Sequence, residues 1–418
     1  MNTLLFLAAH SLRRHAMSTV VTAVSAALAV GLTLAVFGLA AQTRAAFMGG
    51  AGGFDAVLGA RGSQLQLVLN AVFHLETSPG NIPWSLYQTI KADPRVSEAV
   101  PYAVGDNYFG YRIVGTTLSV RDELRNSSGK PLELGTGGKW FDEGNREAVV
   151  GSVVAQQCGL NVGGTFRPYH GLAFNPNLQH EEVYQVVGIL KPSNTPIDRV
   201  IFIPLEGLYR MKGHVLRGTG KDYIPKAYQP IPDHDKELSA VLLKLKDPQA
   251  GFNLDYTINK QGKVATLAWP IGRVMADLFN RLGWMSRVLA LVAYLVMVVA
   301  ACSILAALHN TMRERRREFA ILRALGARRR TVFASVVTEA AAIAGLGALG
   351  GYVVYGLLFF LAAGLVRAQT GVVVDLFFFH PALIAVPLGM TLLGALAGIW
   401  PATQAYSTDV AGNLEPHS

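Results

Sequence analysis

Cysteine is nearly missing from this sequence: there are two in 418 residues. Cys158 lies in a polar region and Cys302 in a long apolar run, so they make no sensible internal bridge, and disulfides say nothing about compartment. A nucleotide-binding P-loop is also missing. The motif needs G-x-x-x-x-G-K-[ST] to cradle phosphates and set a hydroxyl on the metal. The Gly-Lys pairs here run into Pro131, Trp140, Asp222 and Val264. If ATP drives this protein, another chain must hydrolyse it. No H-E-x-x-H, C-x-x-C or G-x-S-x-G occurs, which removes the usual signatures of zinc proteases, dithiol enzymes and esterases. The expectation is a chain that is not itself catalytic.

Charge is scarce as well, at 16% of residues against 51% hydrophobic. That balance is too apolar for an ordinary soluble enzyme. Asp, Glu, Lys and Arg are absent from residues 16–43, 288–312, 331–338, 340–366 and 376–408. Each long run can supply the roughly 20 apolar residues that cross a hydrocarbon core. The first run is too long for a signal peptide and lacks a convincing small-x-small cleavage site before polar sequence, so it reads as a retained anchor. The middle of the chain is different, being studded with charge, Pro and Gly, with short β-type runs between turn clusters.

The net charge of +9 comes largely from eight arginines within residues 313–330, which argues for topology rather than nucleic acid. Arg13 and Arg14 flank the first span and the arginine block follows the second. Both flanks belong inside the cell by the positive-inside rule, and the domain between them belongs outside. The expected organisation is a cytoplasmic interfacial helix at 1–15, spans at 16–43 and 331–366, and an extracytoplasmic α+β domain at 44–270. A stalk continuous with the second span covers 271–309 and a coupling segment 310–330. A short outer loop at 367–379, a fourth span at 380–402 and a cytoplasmic tail at 403–418 complete it. This is a membrane α-helical fold with four transmembrane helices and a large outer domain. After Pro270, Val274, Met275, Leu278, Phe279, Leu282 and Met285 form one helical stripe that leads into span two.

Strands are expected near residues 54–58, 111–114, 148–150, 183–190, 200–203 and 239–245, and helices near 84–92, 152–159 and from 205. Gly345, Gly347, Gly350 and Gly351 sit in span three, where small residues let helices approach or bend; ordinary membrane-helix glycine is an equal reading. Glu339 is a lone carboxylate in a largely apolar run, expected in an ion pair with Arg329 or Arg330 near the interface. Asp233-His234-Asp235 has metal-ligating groups, with His170, His180 and His214 elsewhere. Alternation sets His234 opposite its two neighbours, so a solvated polar turn is expected and no metal site. Asn126-Ser127-Ser128 reads as a chance sequon.

Residues 310–330 carry a pattern of their own. Phe319, Ile321, Leu322 and Leu325 supply apolar contacts among the arginines, and Gly326 permits a tight helix ending. Glu314-Arg315, Glu318 and Leu322-Arg323-Ala324-Leu325-Gly326-Ala327, followed by Glu339, resemble the hallmark E-R-x-x-E-I-x-x-L-R-A-L-G-A of the FtsX/MacB-type permeases, also called type VII ABC permeases. Residues 147–166 and 186–204 look like the periplasmic core domain of that family, and Pro401-Ala402 through Ala405 is similar to its closing P-A-x-x-A.

The resemblance implies a bacterial inner-membrane permease, a homodimer, with ATP and Mg bound by a separate ABC ATPase subunit and no cofactor on this chain. Because the chain starts directly at the membrane, it looks more like the stand-alone permeases than MacB. The coupling residues implied are Arg313, Glu314, Arg315, Glu318, Leu322, Arg323, Ala324, Leu325, Gly326 and Ala327. Membrane lipid is a further partner, with a periplasmic adaptor and outer-membrane channel in an efflux system. Efflux or extraction of a substrate is the first expectation, because the outer domain has two lobes' worth of sequence. The alternative is a mechanotransmission regulator acting on a periplasmic partner such as a cell-wall hydrolase.

Overall fold

The computed structural model describes residues 2–49, 51–211, 231–370, 375 and 378–406; the side chains of Arg313, Glu314 and Arg316 are also outside it. His214 and most of the tail at 403–418 lie outside the described residues. The chain divides into two compact units.

The first unit holds residues 1–42, 282–364 and 374–418. Among the described residues, four helices are long and apolar enough to cross a membrane: Ala16–Met48, Gly283–Met312, Arg329–Arg367 and Ala382–Tyr406. A shorter helix, Asn2–Arg14, precedes them. The last span is broken after Ala397 and resumes at Ile399. Its small residues meet the third span closely, since a Cβ on Gly394 would fall 2.3 Å from the Ala344 Cβ.

The glycine series divides on inspection. A Cβ on Gly347 would sit 2.4 Å from the Ala26 Cβ, and one on Gly351 2.5 Å from Val30 Cγ1. These two, one turn apart, let the third span lie against the first, as small residues do where helix backbones approach. Gly345 meets nothing closer than 4.0 Å.

One expectation about the second span is corrected. The stalk helix Ile271–Arg281 is not continuous with it: Leu282 leaves helical hydrogen bonding and a new helix starts at Gly283. Glycine costs roughly 1 kcal/mol within a helix relative to alanine, which makes that junction a weak place to sustain one. At the other end the expected coupling segment is mostly helix, followed by a short turn at 325–328. The helix Gly283–Ala324 runs on into the arginine block without interruption.

The second unit, residues 43–281 with 365–373, is built on a sheet. Its strands are β1 (Ala56–Ala60), β2 (Ile82–Pro83), β3 (Val96–Tyr108), β4 (Tyr111–Thr116), β5 (Glu147–Val150), β6 (Thr165–Phe166), β7 (Tyr169–His170), β8 (Tyr184–Ile189), β9 (Val200–Pro204), β10 (Glu237–Leu238), β11 (Ala240–Leu245) and β12 (Ala265–Ala268). Ten of them form one mixed sheet in the order β12-β1-β11-β3-β4-β9-β5-β8-β6, with β7 on β3. The pairs β4–β9 and β5–β8 are parallel.

Both faces of the sheet are buried, which is why its strands read as apolar runs rather than alternating ones. Leu58, Ile201, Ile203, Val241 and Leu243 face one core. Val57, Val200, Phe202, Ala240 and Leu242 face the other. Full burial of each Val, Leu, Ile or Phe contributes about 1.5–3 kcal/mol. Strands from both halves of the domain share this sheet.

Candidate functional site

The arginine-rich end of the second span stops in a geometry its sequence dictates. Gly326 has φ +99°, its N–H donates to the Arg323 carbonyl at 3.0 Å, and the Ala327 N–H donates to the Leu322 carbonyl at 3.0 Å. This is the paired 6→1 and 5→2 closure of a Schellman cap, for which glycine is suited because it has no Cβ.

One face of the capped helix is anchored. Met312 and Phe319 are buried with Val332, Val336, Ala402 and Ala405, and Leu322 is partly buried against them. The opposite stripe is open: Arg317, Ile321 and Leu325 follow one another at i, i+4, all exposed, Leu325 at 81%. Ala324 and Gly326 are exposed beside them, and Arg323 and Ala327 are half-buried.

Behind this end, three helices are tied at one carboxylate. Glu339 is 4% exposed. One of its oxygens accepts from the Ser11 hydroxyl and the other from Arg315 Nη1 at 2.8 Å. The same Arg315 nitrogen donates to Ser11 Oγ at 2.7 Å, and its guanidinium carbon lies 5.0 Å from the centre of the Phe319 ring. Glu318 pairs with Arg315 at 3.4 Å and with Arg14.

The expected pairing of Glu339 with Arg329 or Arg330 is therefore corrected. Nine or ten residues of helix separate those arginines from Glu339, on the order of 14 Å along the axis. Arg329 instead stands 5.6 Å from the Tyr406 ring centre. The neighbouring helix brings Arg315 within reach. Sequence reasoning missed Ser11 and Arg14 as partners, since they lie more than 300 residues from theirs. Of the expected coupling residues, Arg315 meets Glu339 inside the unit and Glu318 pairs with Arg315, whereas Ala324, Leu325 and Gly326 are exposed.

In the sheet unit, Asp233–Asp235 is a short 3-10 turn, and His234 is exposed. Asp233 accepts from Lys236 at 3.0 Å and from Gln88 at 2.9 Å. A different set converges elsewhere. His180 Nε2 is 3.3 Å and His170 Nδ1 3.5 Å from the same Asp106 oxygen. The hydrogen bond to Asp106 raises the pKa of His170 above its ordinary value, against the effect of partial burial. The unit also has a cleft of about 550 Å³ lined by Met48, Phe54, Lys246, Trp269 and Ile271, among others.

Comparison with known proteins gives two family matches: the FtsX-like permease C-terminal over residues 290–410 and the MacB-like periplasmic core domain over residues 19–250. Solved structures similar to the chain include the periplasmic region of MacB from Actinobacillus actinomycetemcomitans, at 12% identity and TM-score 0.33, covering 55% of this chain and 94% of that one. Another is the extracellular domain of the noncanonic ABC-type transporter YknZ from Gram-positive bacteria, at 14% identity and TM-score 0.28, covering 51% and 99%. No curated protein matches.

Proposed function

Since the chain belongs to the FtsX/MacB-type permease family, we propose that it is the membrane subunit through which a separate ABC ATPase does work on the outer domain. The observation that carries this is the capped, arginine-flanked helix end with its exposed stripe Arg317–Ile321–Leu325. An exposed leucine and isoleucine among cations suit a partner with an apolar pocket and acidic rim, and a merely topological loop has no need of them.

In this reading the ATPase, holding ATP and Mg, docks on that stripe. Its closure moves the second span as one piece, because the helix continues unbroken from the docking end into the span. Glu339, Arg315 and Ser11 pass the displacement to the third span and the N-terminal helix, since a buried charge cluster shifts as a unit or breaks at high cost. Two permeases and two ATPases in the bacterial inner membrane make the working assembly. The apolar cleft of the sheet unit supports handling of a substrate, efflux or extraction, over simple mechanical signalling to a hydrolase. A periplasmic adaptor and outer-membrane channel fit the efflux form.

The test is ATPase stimulation in proteoliposomes containing the permease and its co-purified ATPase. Leu325→Asp and Ile321→Asp are expected to abolish stimulation while changing unfolding temperature little, as surface substitutions do (within about 0.5 kcal/mol). Full stimulation in both variants removes the docking assignment.

A further inference from the structure

The convergence of Asp106, His170 and His180 is the feature the permease reading leaves unused. Each offers one ligand atom, and the three atoms lie within 4.8 Å of one another.

The fold builds this site from two directions. Asp106 lies just past an irregularity in the β3–β4 register, between Val104 and Asp106, and such bulges re-aim side chains. It pairs directly with His170 across β3 and β7. His180 is held by its own N–H, which donates to the Pro168 carbonyl at 2.9 Å. The neighbouring Asn107 amide donates to the carbonyls of Tyr169, Gly171 and Ala173 at 3.3, 2.8 and 3.2 Å, pinning the loop that carries the histidines. The arrangement is preorganised by groups that are not themselves ligands.

The distances fit a metal cradle as well as a loose hydrogen-bonded cluster. N–H···O bonds centre near 2.9–3.0 Å, whereas 3.3 and 3.5 Å are long for a carboxylate oxygen facing two imidazoles. A tetrahedral ion with bonds of about 2.0–2.1 Å sets its ligands about 3.3–3.4 Å apart, close to the distance of each imidazole from Asp106. Asp106 is fully buried and His180 nearly so, while His170 is about half exposed, which leaves a route of entry. Glu182 Oε2 lies 3.9 Å from His180 Nδ1, on the far side of the ring from Asp106. A carboxylate behind a ligating histidine orients the ring and raises its basicity.

We propose that Asp106, His170 and His180 form a zinc site with a fourth, exchangeable position, and that Glu182 is its supporting carboxylate. Two imidazoles and one carboxylate suit a borderline divalent ion; Mg²⁺ and Ca²⁺ call for more oxygen ligands. Occupancy would cross-link β3 to the 169–180 loop. The site stands independently of the ATPase-coupling reading.

The experiment uses the full chain without a polyhistidine tag, purified in detergent, stripped with chelator and titrated with ZnCl₂ by calorimetry, with thermal unfolding followed in parallel. The expected result is one zinc per chain and a higher unfolding temperature with zinc, since a ligand that binds only the folded state stabilises it. The half-exposed His170→Ala is expected to keep the metal-free unfolding temperature and to lose more than about tenfold in affinity, and Glu182→Gln to lose about 10–100-fold. His234→Ala is expected to bind as wild type. The proposal is overturned if wild type takes up no zinc, or if His170→Ala and His180→Ala both bind it unchanged.

Discussion

Glu339 in the helical unit and Asp106 in the sheet unit are both carboxylates withdrawn from solvent, at 4% and 0% exposure, yet their surroundings differ in kind. Glu339 is matched by a guanidinium, a permanent cation at any physiological pH, and by a serine. Asp106 faces two imidazoles, which can be neutral, protonated or metal-bound. The first arrangement is a mechanical tie that ignores its chemical environment. The second is built from groups that can change charge. His74 extends the contrast, being partly buried in the sheet unit and held neutral by desolvation, with Arg112 and Arg199 reinforcing the effect, at a pKa of about 3.

The largest effect should come from breaking the tie in the helical unit. Arg315→Ala leaves Glu339 buried without its cation, a loss of about 3–5 kcal/mol. Thermal unfolding in detergent measures it, and the double variant Arg315→Leu with Glu339→Leu should recover most of the loss. A single variant as stable as wild type would mean the cluster carries no load.

A smaller effect tests whether that tie depends on close helix approach. Gly347→Ala introduces a Cβ 2.4 Å from Ala26 Cβ and 2.8 Å from the Ala23 carbonyl oxygen. Such overpacking costs about 1–3 kcal/mol. Gly356→Ala, where a Cβ meets nothing within 4 Å, should be neutral or stabilising by up to about 1 kcal/mol, by helix propensity. Equal unfolding temperatures for the two variants would separate the tie from the packing.

The gentlest probe is pH, and it should act on the sheet unit. Unfolded His74 titrates near 6.5, and the folded side chain near 3. As pH falls below 6.5, the unfolded state gains a proton that the folded state refuses. The stability His74 contributes is thus complete above pH 6.5 and declines by up to about 1.4 kcal/mol per unit until pH nears 3. Urea midpoints at pH 7 and pH 5 should differ in wild type and differ less in His74→Phe. An identical pH dependence in both would assign the acid sensitivity to other groups.

Legibility in the sequence followed the range of the interactions. Six strands and three helices of the sheet unit stand close to where their β-branched runs and turn borders put them, as at Val200–Pro204 and Ser152–Cys158. The longest strand, Val96–Tyr108, is not expected from the sequence, because Pro101, Gly105, Asp106 and Asn107 all disfavour strand, and pairing with β11, β4 and β7 holds it extended. Within the candidate site, Gly326 announced its cap, because a left-handed residue after a helix is a local demand. Leu325 announced an apolar contact without showing that it would be left open.

What the sequence determined alone was the set of membrane-length helices, the folded domain between the first two, and the arginine-flanked segment whose pattern is the family's own. These follow from solvation and from hydrogen bonds only a few residues apart, which composition and spacing encode directly. Tertiary structure decided which arginine neutralises Glu339, which glycines lie between helices, and that an aspartate and two histidines spread over 74 positions share one point in space. Those outcomes depend on how distant elements pack, and the energy that selects a partner 300 residues away leaves no periodic trace along the chain.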